Sequence, residues 1–427
     1  MGKAYAVIGA SYGDEGKGII TDYLCRQVEN PLVIRYCSGA QAGHTVVSPE
    51  GVRHVFSHFG SGTLAGAPTY LSKHFVVNPI LFNREYDVLL EKGIVPKAYV
   101  SPECIVTTPF DMMINQAIEN RRAGDRHGSC GYGIFETINR NENVGFGLTI
   151  RNLVEWNIKL IRDVWIARRL RELRLNSYDL DPSYKDDALI EKFMDDCYRF
   201  MKRIIILENG VRQKGFTSIF EGAQGLLLDQ NNTADMPFLT PSNTGLKNVM
   251  ALAEGMGIDE IEAHYVSRTY LTRHGPGPLP NEMDMNQTCK TNKFNEWQGS
   301  LRFAPLDLET LINRVNSDVN KHCNDKIKIN TCLDFTHADV GRIPFVFNML
   351  PRPPVHEGGI HIDTIEANTI PNRVVANPHG LVSYGPCSTD VKKALDIYGN
   401  HVISRVEECK TTMVEERNSM EPGAFLT

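Results

Sequence analysis

Three glycine-rich stretches carry the residue types that handle phosphates and protons. The first is GASYGDEGKG, Gly9 to Gly18, in which Asp14 and Glu15 precede Lys17. Glycines let backbone N–H groups approach a phosphate, and a helix beginning here would add partial positive charge. Lys17 supplies a point charge. The stretch is not a Walker A loop, because Ser11 takes the place of the first glycine and Gly18 that of the hydroxyl residue. Asp14 and Glu15 would repel phosphate unless a cation or a proton transfer involves them, so carboxylate and Mg²⁺ beside phosphates is the functional reading. A glycine-rich turn capping an ordinary helix is the bland one.

The second stretch is SGAQAGHTV, Ser38 to Val46, where Gly39 and Gly43 free the backbone and His44 with Thr45 offers a protonatable donor at a loop tip. Lone histidines are more often structural than catalytic, but open α/β sheets bind ligands at strand carboxyl ends. An Asp14 base and a His44 acid would make chemical sense as a pair. The third stretch is FEGAQGLLLD, Phe220 to Asp229, followed by MPFLTPSNTG, Met236 to Gly245. The Gln224 amide could read a base or a carbonyl. Thr240, Ser242, Asn243 and Thr244 crowd polar groups that equally suit a network of Asx and ST turns.

The elements that must position these loops follow from periodicity. Ala4 to Ala10 reads as a short buried strand, and Ile19, Ile20, Tyr23 and Leu24 fall at helical spacing. Further strands are expected at Leu32 to Gly39, His74 to Pro79, Phe216 to Gly222, Ala263 to Arg273 and Lys326 to Phe335. The stretch from about Leu153 to Leu207 reads as a helical insertion without a chemical motif. Strands alternating with helical stretches predict an α/β fold with a large, mostly parallel sheet flanked by helices. A chain of 427 residues allows one elaborated domain or two lobes.

Composition narrows the class further. The chain is 42% hydrophobic and 22% charged with a net charge of −6, which leaves no footprint for nucleic acid or an anionic membrane. Ten cysteines without a CxxC pair fit neither a zinc site nor a secreted disulfide framework, so a reducing, cytoplasmic setting is expected. The apolar run near the start turns polar too early for a signal peptide, and no apolar run reaches about 18 residues. His356 and His361 lie in HEGGIHID without metal-site spacing, and Asn348 to Gly359 reads as a surface loop. Arg162 to Arg174 reads as a solvated helix face, and Cys130 and Cys332 as small packing residues.

Taken together, the blocks resemble the adenylosuccinate synthetase family. They are Gly13-Asp14-Glu15-Gly16-Lys17-Gly18, Ala42-Gly43-His44-Thr45, Phe220-Glu221-Gly222-Ala223-Gln224-Gly225, Pro241-Ser242-Asn243-Thr244, Thr272-Arg273 with Gly275, Gly277 and Pro278, and Leu333-Asp334 with Ser383, Gly385 and Pro386. The resemblance implies one P-loop-NTPase-like domain over residues 1–427. It also implies a ligase that condenses L-aspartate with C6 of a 6-oxopurine nucleotide through a 6-phosphoryl intermediate. Asp14 would take the N1 proton, and His44, Lys17 and Gln224 would complete the catalytic set. Glu15, Gly16, Lys17, Gly18, Gly43, Thr45, Asp334, Ser383 and Gly385 would hold the nucleoside triphosphate. Asp14, Gln41, Ser129, Cys130, Arg140, Gln224, Thr240 and Arg273 would hold the purine monophosphate. Mg²⁺ would sit on the Asp14 carboxylate and the Gly43 carbonyl, and Arg140 would reach across a homodimer.

The departures cluster on specificity elements. Gln41 opens the block that usually reads NAGHT. The nucleotide-binding region reads Gly128-Ser129-Cys130-Gly131-Tyr132-Gly133-Ile134. Of the three arginines that grip aspartate only Arg302 remains, beside Gly299 and Ser300, and Thr331-Cys332-Leu333-Asp334 lacks the family's lysine. The pattern resembles the phage branch that makes diaminopurine DNA, in an aspartate-retaining variety. That branch implies dGMP, L-aspartate and ATP as substrates, with 2-amino-2'-deoxy-N6-succinyl-adenylate, ADP and phosphate as products, in the host cytoplasm. The alternatives are a conventional synthetase using IMP and GTP, and a nucleotide-binding protein that does not ligate. No direct nucleic-acid or membrane partner is expected.

Overall fold

A computed structural model describes residues 2–207, 215–285, 299–348, 360–367 and 380–393. The strands in chain order begin with β1 (Lys3–Gly9), β2 (Pro31–Arg35), β3 (His44–Val47), β4 (Arg53–Phe56), β5 (Thr69–Leu71) and β6 (Ala98–Val100). There follow β7 (Ile204–Ile206), β8 (Thr217–Glu221), β9 (Glu260–Arg268), β10 (Leu271–Arg273), β11 (Arg302–Ala304) and β12 (Leu306–Asp307). The last are β13 (Lys328–Thr336), β14 (Arg342–Asn348), β15 (Ile360–Glu366), β16 (Leu381–Ser383) and β17 (Val391–Lys393). The helices used below are α1 (Lys17–Gln27), α2 (Pro79–Glu91), α3 (Pro109–Arg122) and α4 (Ile134–Glu142).

Ten strands form one sheet in the order β17-β16-β13-β9-β1-β8-β2-β5-β6-β7. Every pairing in it is parallel except β16 with β17. β1 sits at the centre, in register with β8 through Tyr5–Ile219 and with β9 through Val7–His264. Its near-continuous apolar run follows from burial on both faces, where Ala4, Ala6, Val7 and Ile8 are fully covered. Val7, Ile219 and Val266 pack with Ile20 and Leu24 of α1 on one face, and Ala6, Ile8 and Phe220 join the larger core on the other. The sheet therefore brings the loops after β1, β2 and β8 side by side.

Three expectations about elements change. His74 to Pro79 is not a strand: Val76 and Val77 make only isolated bridges, and the strand lies earlier, at β5. Asn78 caps α2, accepting from the Ile80 and Leu81 amides, and Pro79 starts the helix. The stretch 153–207 is mainly helical, but Ile204 to Ile206 leave it as β7 and pair with β6, because a β-branched triplet fits an open parallel edge. Within it, Arg169 turns inward to pair with the buried Glu136, so that face is only partly solvated. Cys332 is buried as expected, and His361 lies in β15. Residues 349–359, which include His356, fall outside the described residues. Among the described residues no helix is long and apolar enough to cross a membrane.

Candidate active site

The loops after β1, β2 and β8 each hold a polar, non-glycine residue in the left-handed region: Asp14 (φ 60°), Ser38 (φ 62°) and Gln224 (φ 61°). Such conformations cost of order 1–3 kcal/mol each, and they persist where surrounding structure imposes them. Here the imposing structure is close packing of the loops. A Cβ at Gly9 would stand 2.2 Å from the Gln224 carbonyl, and one at Gly225 would stand 2.3 Å from the Ser11 carbonyl. The Ser38 hydroxyl donates to Gln224 Oε1 at 3.4 Å, and the Ser38 amide donates to Ser242 Oγ at 2.9 Å. The Thr240 hydroxyl is buried beside this cluster without a hydrogen-bond partner. Most of the polar run 240–244 is a turn network, in which Thr244 donates from its amide and hydroxyl to Asp229.

Glu15 and Lys17 form the floor of the first loop. The Glu15 carboxylate accepts from the Ser11 and Gly13 amides and pairs with Lys17 Nζ at 2.7 Å, with both side chains nearly fully buried. Glu15 thus occupies a nest of amides itself and shapes the cradle. Gly16 caps α1 in the left-handed region without any side-chain cap, so the first-turn amides of α1 face the loop. A Cβ at Gly18 would meet His44 Cβ at 3.1 Å, which places His44 against that first turn. Asp14 differs from Glu15: its side chain keeps about a third of its surface exposed, and its backbone carbonyl is held by Arg268 Nε at 2.6 Å.

His44 does not sit on a loop tip. It opens β3 of a two-stranded ribbon with β4, is 9% exposed, and its Nδ1 lies 2.7 Å from Glu221 Oε1. Burial lowers the His44 pKa and outweighs the opposing pull of Glu221. Glu221, at the end of β8 with no exposed surface, also binds the Ser61 amide at 3.0 Å and the Ser61 hydroxyl, and faces Arg35 at 3.8 Å. Burial works against its charge, yet His44, Arg35 and Ser61 hold its pKa at about 2. An ionised Glu221 on Nδ1–H leaves Nε2 as the imidazole nitrogen for a ligand. Glu221 was named in the sequence only as part of the Phe220 to Gly225 block, without a role of its own.

Several residues expected at the ligands make hydrogen bonds within the fold. Arg140 is fully buried and donates to Asp111 and to the carbonyls of Val106 and Phe146, so it cannot reach a neighbouring subunit. Arg273 lies 4.5 Å over the Tyr12 ring and donates to the carbonyls of Pro278 and Phe238, which makes it a clamp on the glycine-rich turn. Arg302 forks onto Glu282 and donates to the Gly275 and Gly277 carbonyls at 2.9 Å. An incoming carboxylate must displace Glu282. Gly299 and Ser300 lie just ahead of β11, separated from it by Leu301.

Asp334 is likewise buried, with Oδ2 on His264 Nδ1 at 2.8 Å and Oδ1 accepting the Leu381 amide at 2.9 Å. Its side chain has no exposed surface. Ser383 turns its hydroxyl to the Gly385 carbonyl at 2.8 Å, a local turn contact. Ser129 donates to Asn115 at 2.8 Å. Gln41, Gly43 and Cys130 line one cavity of about 560 Å³ with Arg53, Arg84 and Tyr132, and desolvation pushes the Cys130 thiol up to about 11. Thr45 pairs with Val55 in the β3–β4 ribbon.

The sequence profile of the Adenylosuccinate synthetase family matches residues 6–301. The chain is 33% identical to adenylosuccinate synthetase of Prochlorococcus marinus subsp. pastoris over 299 residues, covering 65% of this chain and 63% of that protein. It is 31% identical to the same enzyme of Ectopseudomonas mendocina over 297 residues, 66% of each chain. The chain thus spans under two thirds of the length of these curated relatives. Its fold is similar to that of the fully ligated adenylosuccinate synthetase of Plasmodium falciparum, with a TM-score of 0.66 at 18% identity over 91% of this chain and 99% of that one. It is also similar to the cyanophage S-2L succinoaminodeoxyadenylate synthetase bound to dGMP and dATP, with a TM-score of 0.58 at 15% identity over 92% and 95% of the two chains. On its sequence match and its parallel-sheet architecture alike, the chain belongs to the adenylosuccinate synthetase family.

Proposed function

We propose that this chain is a ligase that joins L-aspartate to C6 of a 6-oxopurine nucleotide, with dGMP as acceptor and ATP as phosphate donor. The observation that carries the reaction type is one partly exposed carboxylate, Asp14, in a loop packed against Gln224 and followed by Lys17 on the helix turn that His44 touches. Asp14 takes the N1 proton of the purine. O6 then attacks the γ-phosphorus, the bond to the bridging oxygen breaks, and ADP departs. The aspartate amine attacks C6, the C6–O6 bond breaks, phosphate leaves, and the amine loses a proton. Lys17 and the first-turn amides of α1 hold the phosphates, while His44, oriented by Glu221, offers Nε2 to the transferring group.

Mg²⁺ fits the chemistry of the donor set: Asp14 is an oxygen ligand with exposed surface, and we assign the Gly43 carbonyl as a second oxygen. Bound there, the ion would neutralise charge on the phosphates. Gln224, Thr240, Ser129, Cys130 and Gln41 are the residues we assign to the monophosphate, and Arg302, Gly299 and Ser300 to aspartate. A homodimer and a cytoplasmic setting belong to this reading, without Arg140 as the crossing residue.

ATP is favoured because guanine needs an exposed acceptor for N1–H and N2–H, and the Asp334 side chain is fully buried against His264 and the Leu381 amide. The fold it shares with the enzyme bound to dGMP and dATP supports a dGMP acceptor. The names of the curated relatives favour a second reading, IMP with GTP. The test pairs dGMP, GMP and IMP with ATP and GTP in the presence of aspartate, and follows the 6-succino product. Turnover of IMP with GTP far above dGMP with ATP would reverse the substrate assignment. Phosphate release independent of aspartate would overturn ligation itself.

A further inference from the structure

His274 lies between the family-like positions Arg273 and Gly275, in a place that no motif specifies. Its Nε2 is 3.4 Å from Asp14 Oδ2, and the side chain retains 19% of its exposure. Both partners sit on rigid supports. Arg273, the preceding residue, is anchored to Pro278 and Phe238, and the turn that follows uses Gly275 (φ 75°) and Gly277 (φ 105°) to reverse the chain. Gly128 closes against it, since a Cβ there would stand 2.8 Å from Pro276. Asp14 is fixed from behind by Arg268 on its carbonyl. Two anchored backbones therefore present an imidazole and a carboxylate to each other.

The tautomer follows from the surroundings. His274 Nδ1 is buried and has no hydrogen-bond partner. A buried N–H without an acceptor is the worse outcome when the other nitrogen faces a carboxylate that can only accept. The ring is therefore best satisfied with its proton on Nε2, the nitrogen that faces Asp14 Oδ2. Its 3.4 Å separation is longer than a closed hydrogen bond, as is usual for catalytic contacts before the substrate tightens them.

We propose that His274 is a positioning residue for Asp14: its Nε2–H holds one carboxylate oxygen so that the other faces the ring proton of the purine. The inference rests on Asp14 being the base. It accounts for why the chain has a histidine where the surrounding motif leaves the residue open.

The test uses the full chain with dGMP, ATP and aspartate. His274→Ala should lower kcat by about 10–100-fold, the range seen when a supporting hydrogen bond is lost, while the KM for dGMP stays within about threefold. His274→Gln, whose amide nitrogen can reach the Nε2 position, should recover most of the loss; His274→Asn, whose amide falls short, should not. In an Asp14→Asn background the alanine substitution should cost nothing further. An alanine variant within twofold of the parent would overturn the proposal, as would equal behaviour of the Gln and Asn variants at equal denaturation midpoints. An undiminished loss in the Asp14→Asn background would also overturn it while leaving the base assignment standing. Independently of turnover, ¹⁵N spectra of the imidazole should report the Nε2–H tautomer in the parent protein and a changed ring in Asp14→Asn. A pure Nδ1–H tautomer in the parent would refute the contact even if the chain proved not to be a ligase, and normal turnover of Asp14→Asn would instead refute the base assignment.

Discussion

Replacing Glu221 by Gln isolates the charge that organises the site from behind. The side chain keeps its shape, but Arg35, fully buried, then loses the carboxylate 3.8 Å away, and two of its nitrogens already have no hydrogen-bond partner. Leaving one member of a buried ion pair uncompensated typically costs about 3–5 kcal/mol. The protonation equilibrium gives a similar size. A carboxyl moved from 4.5 to about 2 is stabilised as the anion by roughly 3 kcal/mol at 1.36 kcal/mol per decade. Because the folded pKa is depressed, this stabilisation is present above about pH 4.5 and disappears as pH falls through about 2. Domains have only about 5–15 kcal/mol in hand, so Glu221→Gln should fold but unfold at a clearly lower denaturant concentration at pH 7. Its kcat should fall by about 10–100-fold, because the neutral amide no longer fixes which His44 nitrogen carries the proton. Equilibrium denaturation and steady-state kinetics with the 6-succino product as readout measure both effects. A midpoint corresponding to less than about 0.5 kcal/mol of change, together with kcat within threefold of the parent, would refute the reasoning.

Other predictions follow from the same geometry. Asp14→Asn should bind ATP and dGMP with near-parent affinity by calorimetry while product formation collapses; near-normal turnover would remove Asp14 from its role. Burial opposes charge on His264, but Asp334 and Glu262 outweigh it and push its pKa up to about 9. That raised value means stability fully present below about pH 6.5 and lost as pH rises through about 9, a decline of roughly 3 kcal/mol. Denaturation between pH 7 and 10 should show this decline in the parent and a flatter profile in His264→Gln, and equal profiles would contradict it. Gly225→Ala should weaken ATP binding by tenfold or more, since its Cβ would stand 2.3 Å from the Ser11 carbonyl and push two loops apart; unchanged affinity would mean that their apposition is irrelevant. Chelation of divalent ions should abolish turnover and added Mg²⁺ should restore it, and activity surviving in excess chelator would eliminate the metal.

What was legible in the sequence is local. Ala4 to Ala10 followed by glycines and by Ile19, Ile20 and Leu24 could only be strand, loop and helix, because both periodicities act within a few residues. Gly16 and Gly18 announced a backbone that something must approach. Gln224 could be named because small neighbours leave a polar side chain in a turn little else to do, and Asp14 because a carboxylate beside phosphates needs a cation or a proton transfer. The failures were also local in origin. His74 to Pro79 has the apolar character of a strand, but Asn78 and Pro79 begin a helix. Ile204 to Ile206 looked like the end of a helical stretch until an open sheet edge was available to pair with it.

Tertiary structure decided the pairings, because a charge chooses its partner by proximity in space. Glu221 meets His44 across 177 residues and Asp334 meets His264 across 70. Nothing near His274 in the chain foretells Asp14. Arg140 and Arg273, to which the family resemblance gave a role at the purine monophosphate, were taken by buried carbonyls and a carboxylate, since a guanidinium inside a fold must be satisfied there. Amino-acid order alone determined that three glycine-rich loops leave strands, two carrying an acid and an amide and the third leading to a histidine. The parallel order β2-β8-β1 placed those loops together, because only hydrogen bonding between distant strands sets which loop ends become neighbours.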